Sequence, residues 1–197
     1  MVVSAFVQQA ELFAFHPDLP PGFHYQSGCL SLEEEAALVV EVEQLPLHEA
    51  AYKQYTARRR IVSYGASYDF SSNELKPAGP IPSFLYPVRE RVAAWTRIPA
   101  QSYSHALITE YSIGTQLGWH RDVPDFEAIA GLSLRGRCRM RLRPYPPEQG
   151  RRDLIVAIDL EPRSAYSITG VARWSWQHAI SPTKELRYSI TFRTRRR

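Results

Sequence analysis

The spacing of hydrophobic residues changes along the chain, from a helical period in the first half to strand-like alternation in the second. Ser31-Leu32-Glu33-Glu34 has the form of a helix capping box, and the pattern after it predicts a helix to about Gln44. Its core-facing stripe is expected to be Leu32, Ala36, Val39 and Val40. A second helix is predicted from about Ser83 to Thr96. Its inward stripe is Leu85, Val88, Val92 and Trp95.

From His105 onward, short runs of alternating apolar and polar residues replace the helical pattern. These runs span residues 105–111, 117–122, 131–143, 154–160, 165–168, 172–180 and 185–193. Glycine and proline residues lie between them, as turns between strands require. Short, regularly spaced strands after two helices predict an α+β, mainly β fold, in which an antiparallel sandwich or jelly roll has the helices packed outside it.

The composition is that of one globular domain. A chain of 197 residues with 44% hydrophobic residues can form one core and is short for two. Two cysteines, Cys29 and Cys138, form neither a disulfide framework nor a zinc pair, which fits a reducing, cytoplasmic location. No apolar run reaches the roughly 20 residues that span a membrane, and the first ten residues make a poor signal peptide. We therefore expect a cytoplasmic monomer with no membrane association.

Positive charge is modest in total but unevenly distributed. The formal net charge is +4, and arginines concentrate in residues 58–60, 135–143, 151–152 and 193–197. This distribution is compatible with a polyanionic partner and equally with solvated faces. In one regular strand, strict alternation would place five arginines on a single face, unless a bulge at Gly136 breaks the row. These are Arg135, Arg137, Arg139, Arg141 and Arg143.

Two segments carry candidate metal ligands. His120 and Asp122 are two positions apart in a strand-like run, so their side chains point the same way while Arg121 faces away. His178 ends another run, in which it is expected to share an interior face with two tryptophans. Two histidines and one carboxylate form the facial triad that binds Fe(II) and leaves coordination positions open.

Each part of this pattern also has an ordinary explanation. A His-x-Asp pair is common, and the chain contains a second one, His16-Pro17-Asp18, in a proline-rich segment that is expected to be a surface loop. A single histidine on an aromatic face, such as His178, is more often a core residue. The triad therefore depends on a third, independent feature of the sequence.

The last strand-like run supplies that feature. One face of the strand carries Arg187, Ser189, Thr191 and Arg193, and the other carries Tyr188, Ile190 and Phe192. The apolar face belongs to a core layer. Because guanidinium groups bind carboxylates through two parallel hydrogen bonds, two arginines on one face suit a dicarboxylate. The alternative is a solvent-facing edge strand with salt bridges.

Taken together, these motifs resemble the AlkB family of Fe(II)- and 2-oxoglutarate-dependent dioxygenases. The segments that match in order and spacing are residues 60–65, 68–71, 107–111, 118–122, 131–134, 178–180 and 187–193. The resemblance implies a double-stranded β-helix, or jelly roll, supported by the two N-terminal helices. It also implies a single domain over residues 1–197. Its parts would be an N-terminal extension and helix (1–49), a substrate lid (50–80) and a jelly-roll core (105–195).

The resemblance implies site residues and cofactors as well. The iron ligands would be His120, Asp122 and His178. The 2-oxoglutarate site would comprise Arg187 on the distal carboxylate, Tyr111 assisting it, Arg193 near the keto-acid end, and the hydrogen-bonding Thr109 and Ser189. At the last two positions relatives often carry Asn. The expected cofactors are Fe(II) and 2-oxoglutarate, with O2 as co-substrate.

The substrate side is expected to lie in the lid. Arg60, Tyr64, Tyr68 and Phe70 could stack on an unpaired base and hold its backbone, or fill the interface between helices and sheet. Asp125 is a candidate acidic residue, since repair-type members carry an acid where this chain has Pro124. We expect oxidative demethylation or dealkylation of bases in single-stranded nucleic acid or of flipped bases. The alternatives are the same chemistry on a protein or small molecule, and a non-catalytic nucleic-acid-binding module.

Overall fold

A computed structural model describes residues 19–52, 55–147 and 154–196 of the chain. The pair His16 and Asp18 therefore lies outside the described residues. The α-helices are α1 (Leu32–Glu43), α2 (Tyr86–Thr96) and α3 (Gly170–Trp174). The strands are β1 (Phe23–Gln26), β2 (His48–Tyr52), β3 (Tyr55–Tyr64), β4 (Ala66–Asp69), β5 (Glu74–Pro77), β6 (Tyr103–Tyr111), β7 (Leu117–His120), β8 (Phe126–Arg135), β9 (Cys138–Pro144), β10 (Val156–Leu160), β11 (Ala165–Ile168), β12 (Trp176–Ile180) and β13 (Arg187–Arg195).

Two antiparallel sheets form the body of the protein. The larger sheet has the strand order β1-β11-β8-β13-β6-β3-β2, and the smaller sheet has the order β10-β9-β12-β7. The hairpin β4–β5 is a separate two-stranded sheet. From β6 to β9 the chain passes alternately between the larger and the smaller sheet, which is the jelly-roll topology expected from the sequence. No helix within the described residues is long and apolar enough to cross a membrane.

Helices α1 and α2 cover one face of the larger sheet. Tyr188, Ile190 and Phe192 of β13 belong to the same buried cluster as residues from both helices, which confirms the predicted apolar face of this strand. The predicted capping box of α1 is also present. The backbone N–H of Glu34 donates to the Ser31 hydroxyl (3.2 Å), and the backbone N–H of Ser31 donates to the Glu34 carboxylate (2.8 Å).

The buried face of α1 differs from the predicted stripe. Of the predicted stripe only Val39 is buried, while Leu32 and Val40 are 65% and 60% exposed and Ala36 is also exposed. Leu38 and Val42 are buried instead. Apolar residues lie on two sides of this helix, so the helical period alone does not decide which side meets the sheet. The sheet buries the side with Leu38 and Val42, which are four residues apart and therefore on one face. The predicted second helix is a 3-10 turn, Ser83–Leu85, followed by α2. Its stripe is confirmed, with Leu85, Val88 and Val92 buried and Trp95 packed against them.

The expected row of five arginines does not exist as one face. Strand β8 ends at Arg135 in the larger sheet, and β9 begins at Cys138 in the smaller one. Gly136 lies in this crossing, where a Cβ atom would meet the Leu186 carbonyl oxygen at 2.7 Å. The sheet change breaks the row there. Strand β9 keeps Arg139, Arg141 and Arg143 on one side, with Met140 and Leu142 buried on the other.

The predicted strand over residues 172–180 is partly a helix. Helix α3 occupies its first part, and only Trp176–Ile180 is strand β12. Trp174 therefore belongs to the helix and does not share a strand face with His178. Trp176 is half-buried against the core between the two sheets.

Candidate metal centre and cofactor cavity

A cavity of about 830 Å³ lies between the larger and smaller sheets. The free face of β13 contributes Arg187, Ser189, Thr191 and Arg193 to its wall. Residues of β3, β6, β7, β8, β9, β11, β12 and the hairpin β4–β5 also line it. The larger sheet thus packs one face on helices and uses the other face to enclose this space.

The three predicted metal ligands meet in this cavity. His120 and His178 are direct cross-strand partners on β7 and β12, with ring centroids 4.2 Å apart. Asp122 follows the end of β7, and its Oδ2 lies 3.7 Å from His178 Nε2. One candidate ligand atom from each residue lies within 4.8 Å of the other two. Antiparallel strand pairing therefore brings together residues that are distant in sequence.

Both imidazoles suit a metal because burial favours their neutral forms. Burial lowers the pKa of His178 to about 3, with the neighbouring His120 acting in the same direction. Burial also lowers the pKa of His120. His120 Nδ1 lies 2.8 Å from the Gly118 carbonyl oxygen, which favours the tautomer with its proton on Nδ1. The Nε2 lone pair of that imidazole is then directed into the cavity.

The Asp122 carboxylate is ionised and held in one orientation. Burial alone would raise its pKa, but the Arg193 guanidinium holds the pKa below its usual range. Arg193 Nε and Nη2 lie 3.0 and 2.8 Å from Oδ1. The other carboxylate oxygen, Oδ2, therefore faces His178. Neutral imidazoles and an ionised carboxylate are the donor set that Fe(II) accepts in a facial triad.

The loop that carries Asp122 is fixed by a buried arginine of α3. Arg173 is 3% exposed, and its guanidinium donates to the backbone carbonyls of Asp122 (3.2 Å), Val123 (2.7 Å) and Phe126 (2.9 Å). These bonds hold the chain between β7 and β8 in place. Arg173 therefore positions the carboxylate from behind, as residues around a metal's first ligands commonly do.

A second group of polar residues lies at the Arg187 end of the cavity. Arg187 is 1% exposed, its Nε donates to the Ser133 hydroxyl (3.0 Å), and its guanidinium lies 5.0 Å from the Tyr111 ring. Burial raises the pKa of Tyr111 despite the neighbouring Arg187, so the phenol stays protonated and can donate. The cross-strand partners Thr109 and Ser189 line the same wall. This end of the cavity offers donors to a carboxylate.

The structure brings only some of the predicted substrate residues to the cavity. Tyr68 and Phe70 line it, with their rings edge to face at 4.9 Å. Arg60 instead donates to the Glu110 carboxylate (2.8 Å), and Tyr64 packs against the helix-covered core. Asp125 is not among the lining residues. Contrary to expectation, Arg60, Tyr64 and Asp125 lie outside the cavity.

Strand alternation explains this outcome. Along β3, the residues that face the cavity are Arg59, Ile61 and Ser63. Their neighbours Arg60 and Tyr64 therefore face the opposite side of the sheet. Alternation was visible in the sequence, but it did not indicate which set faces inward.

Sequence reasoning also missed several residues at the site. Ser133 shares its strand face with Gly131 and alternates with the buried Leu132 and Leu134, so a signal for an inward hydroxyl was present. Arg173 gave no such signal, because a buried arginine cannot be distinguished by pattern from a surface one. His105 was not among the candidate site residues; it is 5% exposed and lines the cavity wall, with Nδ1 3.5 Å from Arg193 Nη1.

Comparison with known proteins identifies the class. Residues 32–193 match the profile of the 2OG-Fe(II) oxygenase superfamily, and the chain belongs to that superfamily. Fe(II) and 2-oxoglutarate, the cofactors expected from the sequence, are those of the superfamily. The buried donor set and the Arg187 pocket fit both groups. The assignment of individual ligands to particular residues stays a prediction.

Within the superfamily the likeness is to AlkB-type proteins, as the sequence predicted. The chain is 29% identical over 181 residues to "Alkylated DNA repair protein ALKBH8 homolog" of Arabidopsis thaliana, covering 81% of this chain and 51% of that protein. It is 32% identical over 110 residues to "Uncharacterized protein L905" of Acanthamoeba polyphaga mimivirus, covering 49% and 50%. The chain thus spans about half the length of the curated relatives it matches.

Solved structures show the same fold. The structure of OsALKBH1 superposes with a TM-score of 0.69 at 16% identity, over 89% of this chain and 99% of that one. A Pseudomonas putida prolyl-4-hydroxylase superposes with a TM-score of 0.61 at 12% identity, over 89% and 93%. At these identities the likeness concerns the fold and not the substrate.

Proposed function

We propose that this protein is an Fe(II)- and 2-oxoglutarate-dependent dioxygenase that removes alkyl groups from bases in nucleic acid. The observation that supports the substrate class is the charge of the cavity. Its described lining contains four arginines, Arg59, Arg121, Arg187 and Arg193, against the single carboxylate of Asp122. The charges of Fe(II) and dianionic 2-oxoglutarate cancel each other, so a positive excess remains for an anionic substrate.

The aromatic part of the lining narrows the substrate further. Tyr68 and Phe70 present ring surfaces to the cavity next to these positive charges. A nucleotide combines a flat aromatic base with an anionic phosphate, and aromatic side chains bind unstacked bases by stacking. The name of the Arabidopsis relative, an alkylated DNA repair protein, supports the same choice.

The proposed division of labour follows from the geometry. His120, His178 and Oδ2 of Asp122 bind the metal, and Arg193 keeps the carboxylate turned towards it. Arg187 binds the distal carboxylate of 2-oxoglutarate, with a hydrogen bond from Tyr111. When bound, Fe(II), 2-oxoglutarate and O2 supply an oxidant for a substrate C–H bond, giving succinate and CO2. An N-methyl group hydroxylated in this way leaves as formaldehyde and frees the base nitrogen.

The enclosed position of the site has a consequence for the substrate. The metal ligands are largely buried between two sheets, out of reach of a base that is still stacked in a duplex. The base must therefore be unpaired or flipped out to reach them. Single-stranded nucleic acid is the simplest substrate that meets this requirement.

The test is an assay of N-methylated DNA and RNA oligonucleotides with Fe(II), ascorbate and 2-oxoglutarate, in which formaldehyde and oligonucleotide mass are measured. We expect demethylated product from the wild-type protein and none from His178→Ala. His24→Ala is the matched control, because His24 is an exposed histidine on β1. It should behave as the wild type does.

Two results would overturn separate parts of the proposal. If the wild-type protein converts 2-oxoglutarate to succinate but demethylates no oligonucleotide, the nucleic acid assignment is wrong. If His178→Ala demethylates oligonucleotides at the wild-type rate, the metal assignment is wrong.

A further inference from the structure

The outer face of the smaller sheet carries an arrangement that the metal and cofactor sites do not use. Trp119 precedes His120 on β7, and its ring lies against two arginines of β9. The guanidinium carbons of Arg141 and Arg143 are 5.1 and 4.4 Å from the ring centroid. At such distances a tryptophan ring attracts and orients a cation.

These two arginines differ from their neighbours in having no acidic partner among the described residues. Arg143 donates from Nε and Nη2 to the neutral Gln177 side-chain oxygen (2.9 and 2.8 Å), and Nε of Arg141 is buried without a partner. In contrast, Arg137 and Arg139 lie 3.8 and 3.4 Å from carboxylate oxygens of Glu161 and Asp159. The positive charge of Arg141 and Arg143 is therefore not neutralised within the described part of the chain.

A third arginine joins this surface to the cavity. Arg121 is exposed, its guanidinium carbon lies 3.9 Å from the Tyr145 ring centroid, and its Nη1 donates to the Trp174 carbonyl oxygen (3.0 Å). Arg121 and Trp119 both contribute to the cavity wall. Three arginines, each beside an aromatic ring, thus extend from the cavity across the outer face of the sheet. Arg121 and Arg143 also donate hydrogen bonds to neutral acceptors.

We propose that this Trp119 face, consisting of Trp119, Arg121, Arg141 and Arg143, binds the phosphate backbone of single-stranded nucleic acid beside the base that enters the cavity. The inference rests on the proposed function and adds the surface that holds the flanking nucleotides. Alternate residues on a strand are about 6.7 Å apart, which is comparable to the distance between successive phosphates. Arginines already fixed in place lose little freedom when they bind phosphates.

The position of Trp119 also links backbone binding to the reaction. Successive residues of a strand point to opposite faces, so Trp119 meets the arginines outside while His120 points to the candidate metal centre inside. A backbone held on the Trp119 face is therefore held at a fixed distance from the metal ligands. This arrangement would favour a nucleotide a short distance along the strand from the bound phosphates.

The test compares two double variants in binding fluorescent single-stranded oligonucleotides across a range of salt concentrations. In Arg141→Gln/Arg143→Gln we expect affinity to fall about tenfold or more, and the slope of log affinity against log salt to decrease by about 1.4 for two lost phosphate contacts. Arg137→Gln/Arg139→Gln removes the same charge from residues that already pair with acids. This control should stay within about twofold of the wild type.

The length of the oligonucleotide provides a second readout. The difference between Arg141→Gln/Arg143→Gln and the wild type should shrink as the oligonucleotide is shortened to a single nucleotide, which does not reach beyond the cavity. Circular dichroism and thermal unfolding of each variant would establish that it is folded.

The outcomes separate this inference from the proposed function. Suppose that the wild type demethylates oligonucleotides and that both double variants bind them with the affinity and salt slope of the wild type. The Trp119 face is then not the binding surface, and the proposed function stands. If duplex is bound through these arginines as strongly as single strands, the single-strand assignment is wrong. If the wild type neither binds nor demethylates any oligonucleotide, both proposals are wrong.

Discussion

At the scale of single residues, Arg187 is the clearest case of a side chain that requires a ligand. It is 1% exposed and has no acidic partner among the described residues, with Ser133 and Tyr111 as its polar neighbours. Burying a cation in this way is costly unless an anion offsets the lost hydration. The dicarboxylate cofactor would supply that anion.

We predict that Arg187→Ala weakens 2-oxoglutarate binding by about 10- to 100-fold, the usual worth of a charged hydrogen-bonded contact. Arg187→Lys should be intermediate, because a lysine keeps the charge but not the paired hydrogen bonds. Calorimetric titration of 2-oxoglutarate into the protein loaded with redox-inert Mn(II) measures both variants. Arg137→Ala, an exposed arginine, is the control. Wild-type affinity in Arg187→Ala would remove this residue from the cofactor site.

His105 gives a prediction for the pH dependence of stability. It is buried beside Phe126 and Arg193, and burial followed by the Arg193 charge lowers its pKa to about 3. Below the pKa of about 6.5 that a histidine has in the unfolded chain, His105 is protonated in the unfolded state but stays neutral in the folded state. The folded state therefore loses stability as the pH falls from about 6.5 towards 3, by about 3 kcal/mol between pH 7 and pH 4.

The measurement is urea unfolding of the metal-free protein over this pH range. His105→Gln cannot take up a proton, so its stability should decrease less steeply than that of the wild type. Parallel pH profiles for the two proteins would contradict the assigned protonation of His105.

At the scale of secondary-structure elements, the short helix α3 contributes to the site through one residue. Its Arg173 donates to two backbone carbonyls of the loop that carries Asp122 and to the Phe126 carbonyl at the start of β8. A lysine cannot make this set of hydrogen bonds. Arg173→Lys should therefore lower metal affinity by about 10- to 100-fold, as loss of outer contacts to metal ligands commonly does.

Anaerobic Fe(II) titration and thermal unfolding of Arg173→Lys test this role. Arg97→Lys is the control, since Arg97 is an exposed arginine at the end of α2. A variant that loses stability but keeps wild-type metal affinity would show that Arg173 stabilises the fold without positioning Asp122.

The hairpin β4–β5 presents Tyr68 and Phe70 to the cavity. Asp69 stabilises its turn by accepting hydrogen bonds from the backbone and hydroxyl of Ser71 (2.8 and 2.5 Å) and by pairing with Lys76. We predict that Tyr68→Ala raises the KM for methylated oligonucleotides by about tenfold, which corresponds to the loss of one base–aromatic stacking contact. Tyr86→Ala, on the exposed side of α2, is the control. An unchanged KM in Tyr68→Ala would exclude stacking on this ring.

Much of the site was predictable at the scale of elements because it depends on period-two alternation. The four polar residues of β13 fall on one side of their strand whatever the rest of the fold does. The spacing of His120 and Asp122 suggested the same alternation, although β7 ends at His120 and Asp122 lies just beyond it. Which strands become neighbours is not encoded locally. Which of Arg59 and Arg60 faces the cavity depends on how β3 is placed in its sheet. The arginine row is interrupted at Gly136 because the chain changes sheets there. The long-range pairing that determines both outcomes has no local sequence signal.

At the scale of the whole molecule, the site exists because the larger sheet has two different faces. One face is covered by α1 and α2 and forms a packed core, and the other encloses the cavity with the smaller sheet. The candidate ligands His120 and His178 lie on neighbouring strands of the smaller sheet, and Asp122 on the loop after β7 is held by Arg193 of the larger sheet. The complete donor set therefore exists only when the two sheets are assembled. Since only the folded protein presents this donor set, metal binding should raise the thermal unfolding temperature.

We propose that His120, Asp122 and His178 together form one Fe(II) site. Anaerobic Fe(II) titration of the wild type, His178→Ala and the control His24→Ala tests it most directly. We expect one equivalent of Fe(II) to be bound by the wild type and by His24→Ala, and at least about tenfold weaker binding by His178→Ala. One equivalent bound by His178→Ala with wild-type affinity would contradict it.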